Sequence, residues 1–197
     1  MAIWIGVDVG GSRKGFDVAV IDERRLLELQ RGLGRDAVVA LVDQSRPELV
    51  GIDSPRSCAS AGATARDGER ALSRKVCGIR WTPDETEVRA NPYYAWVVEG
   101  LELYSMLARR GADTIEVFPT ASWTRWHGSR AGRSRAKWTR DGLALLPLDG
   151  LPGRTNQDAR DAIAAALTAR AHTQGQTERF GELVVPADSS TLTKSLP

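Results

Sequence analysis

The sequence predicts an α/β fold in which a mixed β-sheet is flanked by helices. The chain opens with an alternating apolar stretch at residues 3–9, which is typical of a strand. Two hairpin-linked strands follow at 16–21 and 26–29, and helical and strand patterns alternate from residue 35 onward. At 197 residues the chain suits one domain with a sizeable core.

The first strand carries one carboxylate beside residues that lack side chains. Apolar residues at 3, 5, 7 and 9 share one face, so Gly6, Asp8 and Gly10 share the other. A charge inside an apolar strand is costly unless it is paired or bound to a cation. The missing side chains leave space for a ligand or for a closely packed helix. We therefore take Asp8 as the starting point for a candidate site.

The later elements are predicted in order from their patterns. Pro47 ends a helix at 35–44, and an apolar strand at 49–53 is broken by the Ser-Pro pair after it. Residues 56–92 are too long for a simple connection, so they predict an insertion over one edge of the sheet, with a helix at 65–76. The remaining predictions are a helix at 94–110, a strand at 114–118, short helices at 122–126 and 139–146, a helix at 157–172 and a strand at 183–186.

Composition excludes several classes of protein. Hydrophobic residues make up 42% and charged residues 26%, as in ordinary soluble proteins, and a net charge of +2 does not by itself indicate a nucleic-acid binder. The two cysteines, Cys58 and Cys77, form neither a disulfide framework nor a metal-site pattern, which fits a reduced cytoplasm. Neither a signal peptide nor a membrane span is predicted. We expect a single domain at 1–187 and a disordered tail at 188–197.

Three predicted strands each carry one acid in an apolar setting, namely Asp8, Asp53 and Glu116. Asp158 and Asp161 lie three positions apart, on one face of the last helix. Carboxylates that repel one another can share a site when divalent cations neutralise them, and oxygen-only ligands favour Mg²⁺ or Mn²⁺ over zinc. Two such ions can clamp an in-line phosphoryl displacement.

Each acid also has an ordinary structural explanation. A lone acid at a strand end often caps a loop, and Asp158 could serve as the N-terminal acid of its helix. Asp17, Asp22 and Asp67 are expected on the solvated surface. The combination of acids at several strand ends and on one helix face still favours a shared metal site.

The order of these features resembles the RNase H-like fold. More specifically, the chain is similar to a family of predicted RNase H-like nucleases that is catalogued as a domain of unknown function. The stretches that carry the resemblance span most of residues 3–186 and are Gly6-Val7-Asp8, Val50-Gly51-Ile52-Asp53-Ser54-Pro55, Ile79-Arg80-Trp81-Thr82-Pro83, Ile115-Glu116-Val117-Phe118-Pro119 and Gln157-Asp158-Ala159-Arg160-Asp161-Ala162.

The resemblance implies a three-layer fold with a mixed five-stranded sheet and an insertion around residues 56–92. It also implies a phosphodiesterase site with two Mg²⁺ or Mn²⁺ ions. The implied carboxylates are Asp8, Asp53 or Glu116, and Asp161, with Asp158 nearby. Relatives tend to carry paired acids before the last helix, and here Gln157 replaces the first of them. That departure puts the activity of the site in question.

A basic segment at 128–140 carries the predicted substrate contacts and no acid. Its cations are Arg130, Arg133, Arg135, Lys137 and Arg140. Trp123, Trp126 and Trp138 are close in sequence, and cations beside aromatic faces suit a phosphate backbone with exposed bases. A solvated loop beside core tryptophans explains the same pattern equally well. His127 could shuttle a proton, although a lone histidine is more often structural.

Three functions are compatible with these observations. The preferred one is a cytoplasmic, metal-dependent nuclease that acts on DNA or RNA. The second is an actin-like or sugar-kinase-like ATPase, because residues 8–12 resemble the first phosphate loop of those proteins, which usually need two related domains. The third is a module that binds nucleic acid or protein and has lost catalysis, as Gln157 suggests. The hairpin edge or the insertion could support a dimer, and no membrane partner is expected.

Overall fold

The computed structural model describes residues 1–11 and 13–188. Its strands are β1 (Trp4–Val9), β2 (Phe16–Ile21), β3 (Leu26–Leu33), β4 (Leu49–Asp53), β5 (Thr114–Val117), β6 (Thr177–Phe180) and β7 (Leu183–Pro186). They form one sheet in the order β3-β2-β1-β4-β5-β7-β6. The first three strands are antiparallel neighbours, β1, β4, β5 and β7 run parallel, and β6 returns antiparallel along β7.

The sheet has seven strands, so the five-stranded sheet implied by the resemblance is wrong. The strand predicted at 183–186 is β7, which pairs with β5. β6 was not predicted, because its sequence Thr177-Glu178-Arg179-Phe180 is mostly polar and only Phe180 is buried. Such a strand lacks the apolar alternation on which recognition depends. The expected tail lies outside the described residues from 189 onward.

Helices cover both faces of the sheet and give the fold three layers. They are α1 (Arg35–Ser45), α2 (Asp67–Lys75), α3 (Glu85–Ala90), α4 (Ala95–Arg109), α5 (Pro119–His127), α6 (Arg135–Leu143) and α7 (Gln157–Thr173). Helices α1 and α4 bury one face of the sheet, and α5, α6 and α7 bury the other. None of the helices in residues 1–11 and 13–188 is both long and apolar enough to span a membrane.

Side-chain caps account for two of the differences from the predicted helices. Helix α6 begins at Arg135 rather than at 139, since the Ser134 side chain accepts a hydrogen bond from the Lys137 N–H. Helix α3 was not predicted at all, and it begins where the Asp84 side chain accepts a hydrogen bond from the Glu87 N–H.

Helix α7 lies directly against the backbones of β1 and β4. A Cβ atom on Gly6 would lie 2.0 Å from the carbonyl oxygen of Ala162, and one on Gly51 would lie 2.5 Å from that of Ala165. The glycines therefore let the helix backbone rest directly on the strands. Of the two uses foreseen for the missing side chains, the structure has the closely packed helix.

The segment at 56–92 packs over the β6–β7 end of the sheet, as the sequence predicts for an insertion. Leu72 of α2 is fully buried against Phe180 and Leu183.

Two acids expected on the surface are instead buried. Asp17 is 6% exposed, pairs with Arg31 and accepts a hydrogen bond from a backbone N–H, and Asp22, 8% exposed, accepts two backbone N–H bonds in the turn between β2 and β3.

Candidate active site

Parallel pairing brings two acids together at the carboxyl ends of β1 and β4. The register pairs Asp8 with Asp53, so both side chains leave the same face of the sheet. Both residues are half-buried. Within residues 1–11 and 13–188, neither carboxylate has a hydrogen bond or an ion pair. Two neighbouring acids without a counterion are the unusual feature of this edge.

Burial and mutual repulsion shift the protonation of this pair. Burial, followed by the charges of Asp161 and Asp158, raises the pKa of Asp8 to about 8. Burial, followed by the charges of Asp8 and Asp161, raises the pKa of Asp53 well above its usual range. Near neutral pH the pair therefore retains a proton unless a cation binds beside it.

Asp161 enters from α7 and is held rigidly by three donors. The side chain is 2% exposed. Gln157 donates from Nε2 to both carboxylate oxygens at 3.0 Å, Trp123 donates from Nε1 at 3.3 Å, and Arg135 forms an ion pair at 2.9 Å. Burial raises the pKa of Asp161, while the charge of Arg135 and the bonds from Gln157 and Trp123 oppose that rise.

Gln157, which stands where the resemblance implies an acid, orients Asp161 instead of adding a charge. While its Nε2 donates to Asp161, its Oε1 accepts hydrogen bonds from Thr139 Oγ1 at 3.1 Å and from Arg160 Nη2 at 3.2 Å. A carboxylate at this position would repel Asp161, whereas the amide fixes it. The replacement is therefore compatible with an ordered site.

Asp158 is paired with a cation that the sequence did not single out. Its Oδ2 lies 2.6 Å from Nζ of Lys14, which stands in the turn after β1. Asn156, the N-cap of α7, also donates to Asp158 at 3.1 Å. The hydrogen bond to Asp158 raises the pKa of Lys14. Lys14 had no recognisable signal, since a lysine in a surface turn is ordinary.

Glu116 lines the same cleft as Asp53 but is held by an arginine and leaves the sheet on the other side. The register of β4 and β5 pairs Glu116 with Ile52, so its side chain leaves the face opposite to that of Asp53. It is 1% exposed and accepts two hydrogen bonds from Arg66, at 2.7 and 2.5 Å, and one from the Arg56 N–H at 2.9 Å. Burial raises the pKa of Glu116, and Arg66 opposes that rise.

Arg66 links Glu116 to the insertion through a second buried acid. Its Nε donates to Glu69 at 3.0 Å, and Glu69 also accepts the Thr82 N–H at 3.0 Å. Burial alone would lower the pKa of Arg66, but the hydrogen bond and charge of Glu116, together with Glu69, raise it. The motif at 79–83 is thus tied to the sheet by this network. Nothing in the sequence pairs Arg66 with an acid so distant along the chain.

A cleft of about 950 Å³ opens beside the carboxyl ends of β1, β4 and β5. Asp53 lies on its floor, the insertion forms one wall, and the α5–α6 region forms the other. Four arginines are among the residues that line it, Arg66, Arg80, Arg130 and Arg135, together with the acids Asp53, Glu69 and Glu116. The volume falls within the range of small-ligand sites.

The basic segment contributes to the cleft only in part. Arg130 and Arg135 line it, whereas Arg133 is tied back to the Ser129 carbonyl at 2.7 Å and Lys137 pairs with Asp141 at 2.7 Å. Arg140 is exposed and does not line the cleft.

The tryptophans near this segment belong to the core. Trp123 is 0% and Trp138 1% exposed, so neither ring offers a face to a nucleic-acid base. Trp126 packs partly buried against the same core cluster. His127 accepts a hydrogen bond at Nε2 from Arg133, at 3.1 Å, which favours a structural role.

The glycine turn after β1 is closed by its own backbone. The Gly10 N–H donates to the Gly15 carbonyl, and the Lys14 and Gly15 N–H groups donate to the Gly11 carbonyl. These N–H groups are therefore not directed at a ligand. In this respect, Gly10, Lys14 and Gly15 are unlike the residues of a phosphate-binding loop, whose backbone N–H groups surround the phosphate.

No three His, Cys, Asp or Glu side chains within 1–11 and 13–188 already converge into a metal site. Two of the four clustered acids are engaged by cations, Asp158 by Lys14 and Asp161 by Arg135. The donor set is nonetheless made of carboxylate oxygens alone, which suits a hard divalent cation. The pair that lacks a counterion is Asp8 with Asp53.

Comparisons with known proteins identify a family and a fold. Residues 6–185 match the family described as protein of unknown function (DUF429). The structure of T. thermophilus RuvC in complex with Holliday junction substrate is similar, with a TM-score of 0.50 and 15% identity over 89% of this chain and 96% of that one.

A second Thermus thermophilus RuvC structure has a TM-score of 0.49 and 15% identity over 88% of this chain and 96% of that one. No curated protein sequence matches. At this identity, the likeness to the RuvC complex shows a shared RNase H-like fold.

Proposed function

This chain belongs to the DUF429 family, and we propose that it is a metal-dependent nuclease that hydrolyses phosphodiester bonds in nucleic acid. The observation that carries the proposal is the pairing of Asp8 with Asp53, two half-buried carboxylates that form no ion pair within residues 1–11 and 13–188 and stand at the edge of a cleft lined with arginines. Repelling carboxylates are retained in a protein when a cation or a reaction needs them.

The chemistry of these side chains fits Mg²⁺ or Mn²⁺. Asp8 and Asp53 would hold the ion between them, and Asp161, with Asp158 at the rim, would complete a site for two ions. When bound, such ions activate water and stabilise the leaving oxygen of a phosphodiester. Asp8 would give up its proton on binding, and Gln157 and Trp123 would keep Asp161 in a fixed orientation.

Lys14 and Arg135 have two roles in this proposal. Without an ion, each neutralises one of the clustered acids. Both side chains are about half exposed, with Lys14 at 57% and Arg135 at 45%, so they can turn towards solvent or towards a phosphate. Arg135 also lines the cleft, where it would meet the substrate backbone.

Nucleic acid is the substrate class that the cleft suits best. Arg80, Arg130 and Arg135 place positive charge on both walls, and such charge attracts a phosphate backbone. The RuvC structure that shares the fold contains Holliday junction DNA, and we extend to this chain only the class, DNA or RNA. Arg133, Lys137 and Arg140 would add long-range attraction without lining the cleft.

Glu116 has a positioning role in this proposal. Its partner Arg66 connects the sheet to Glu69 and, through Glu69, to the insertion that forms one cleft wall. We therefore assign the reacting edge to Asp8, Asp53 and Asp161, and assign Glu116 to the support of the wall.

The proposal is tested by Mn²⁺ titration calorimetry on the wild type and on Asp8→Asn, followed by cleavage assays on single-stranded and duplex DNA and RNA. We expect saturable Mn²⁺ binding and cleavage in the wild type, and neither in the variant. Asp141→Asn is the matched control, because that acid pairs with Lys137 outside the cleft and should leave both unchanged.

Mn²⁺ binding that Asp8→Asn does not weaken would contradict the assigned site. Nucleic-acid binding without either Mn²⁺ binding or cleavage would instead identify a binding module that has lost catalysis.

A further inference from the structure

Two aromatic side chains, one in the insertion and one directly after it, are exposed, in contrast to the core tryptophans. Trp81 is 40% and Tyr93 51% exposed, and Tyr94 meets Tyr93 edge to face with ring centroids 5.0 Å apart. We call Trp81, Tyr93 and Tyr94, with Arg70 and Arg80, the aromatic platform. Clustered aromatic side chains that remain exposed to water are typical of binding surfaces.

Arginines accompany these rings without being neutralised by acids. The guanidinium of Arg70 lies 5.6 Å from the centre of the Trp81 ring, and that of Arg80 lies 5.7 Å from the centre of the Tyr93 ring. Arg80 also donates a hydrogen bond to the Tyr93 hydroxyl. In the described part of the chain, neither arginine forms an ion pair with a carboxylate. Their charge is therefore available to an anionic ligand.

The rings border a surface hollow that two acids, Asp84 and Glu87, also line, and both acids accept hydrogen bonds from neighbouring residues. Asp84 accepts hydrogen bonds from the N–H groups of Gly62 and Glu87 as the cap of α3. Glu87 accepts a hydrogen bond from the Asn91 side chain at 2.8 Å. These hydrogen bonds fix the backbone around the hollow. The exposed rings lie beside Arg70 and Arg80, which form no ion pair in the described residues.

The aromatic platform is continuous with the cleft. It borders a hollow of about 750 Å³, and Ile79 and Arg80 line both this hollow and the cleft. A chain lying across the rings would therefore lead past Arg80 towards Asp53. The ring of Trp96, which lines the cleft, is a further aromatic surface along that path.

We propose that the aromatic platform stacks unpaired bases of a single-stranded nucleic-acid segment whose backbone continues into the cleft. This inference rests on the proposed function, because it names the form of substrate that the same site would receive. Base faces are hidden inside a duplex but free in a single strand, where they stack on aromatic rings and arginine planes. The free positive charge favours this occupant over an uncharged peptide.

Binding is measured by fluorescence anisotropy with a fluorescein-labelled oligothymidylate of about 12 nucleotides, which is within the span of known single-strand sites. A duplex of the same length is the second probe. EDTA in the buffer removes divalent ions, so that cleavage does not interfere. We expect the single strand to bind more tightly than the duplex.

Trp81→Ala and Tyr93→Ala should each weaken single-strand binding by at least about fivefold, which is the lower end of measured base-stacking losses. Trp81→Phe keeps a ring and should restore most of the affinity. Leu145→Ala removes an exposed hydrophobic side chain, 70% exposed, away from the aromatic platform and should change nothing. Circular dichroism melting checks that each variant folds.

Equal binding of single strand and duplex, or no loss in either alanine variant, would overturn the aromatic platform. That result would leave Mn²⁺ binding and cleavage intact, so the nuclease proposal would survive it. Conversely, a protein that lacks Mn²⁺ binding but loses single-strand affinity in Trp81→Ala would support the platform and refute the nuclease.

Discussion

Buried acids lie on both faces of the sheet, and the two faces neutralise them differently. On one face, Arg66 is bonded to both Glu116 and Glu69, so the two carboxylates share one buried cation. On the other face, Asp8 and Asp53 lie side by side without a counterion in the described part of the chain. The first arrangement has its counterion, Arg66, within the protein. The second needs a proton or a bound cation, and this difference separates a structural network from a candidate active site.

Breaking the complete network should give the largest effect on stability. Arg66→Met would leave Glu116 and Glu69 buried without their cation, and removing one partner of a buried ion pair typically costs about 3–5 kcal/mol. We expect the melting temperature to fall by roughly 6–15 °C in a chain of this size. Thermal unfolding followed by circular dichroism measures it.

The control for that experiment is Arg89→Ala, which breaks a solvent-exposed pair with Glu85. Such pairs contribute about 1 kcal/mol or less. A loss in Arg66→Met no larger than in Arg89→Ala would show that the buried network is not important for stability.

The second effect concerns the side chain that orients Asp161. Gln157→Met keeps the approximate shape but removes the two hydrogen bonds to the Asp161 carboxylate. Loss of such a supporting partner typically lowers metal affinity by about 10–100-fold. Mn²⁺ calorimetry measures this loss, and Gln174→Met, an exposed substitution after the end of the same helix, is the control. Unchanged Mn²⁺ affinity would mean that Asp161 does not act as a ligand.

The third effect is a pH dependence of Mn²⁺ binding. The pKa of Asp8 is raised to about 8, so binding below that pH must displace a proton. We expect affinity to rise by up to about tenfold per pH unit between pH 6 and 8 and then to level off. Calorimetry in buffers of different ionisation enthalpy counts the released protons. A flat profile would contradict the unpaired state of Asp8.

The smallest effect is on the stability of the metal-free protein. Because the pKa of Asp8 is higher in the folded chain than its unfolded value near 4, the folded state binds more protons between pH about 4 and 8. Stability therefore falls as pH rises through this window.

Asp8→Asn removes that titration. In EDTA, the fall in melting temperature from pH 5 to pH 8 should be smaller in Asp8→Asn than in the wild type, because the variant lacks the proton that the folded wild type holds in this window. Identical falls in the two proteins would mean that Asp8 titrates normally. Asp141→Asn again provides the control, since it lies outside the cluster.

The alternating pattern of β1 and β4 was sufficient to predict that a glycine and an acid share one face of each strand, but it left open whether a helix or a ligand lies against that face. Gly6 and Asp8 share a face with Gly51 and Asp53 because alternation is a local property of each strand. The face of the sheet from which Glu116 leaves was not predicted, for a physical reason. A shift of one residue in register moves a side chain to the other face, and the sequence does not give the register between β4 and β5.

Long-range partners account for the other gaps. Arg66 and Lys14 acquire their roles only through acids far away in the sequence, Glu116 and Asp158. Similarly, a run of cations at 128–140 gives no indication of which side chains turn into a cleft. Whether a tryptophan is a stacking surface or part of the core also depends on what packs over it, and Trp123 and Trp81 proved to be opposite cases.

The glycines at 6 and 51 have a consequence for any redesign of this protein. Because they have no side chains, the α7 backbone lies directly against the sheet. The separation of Asp161 from Asp8 is therefore set by this packing rather than by contacts of the carboxylates. A single added methyl group at Gly6 would push α7 away from β1 and would move Asp161 with it. The distances between the carboxylates thus depend on two glycines, which have no side chain with which to bind a ligand.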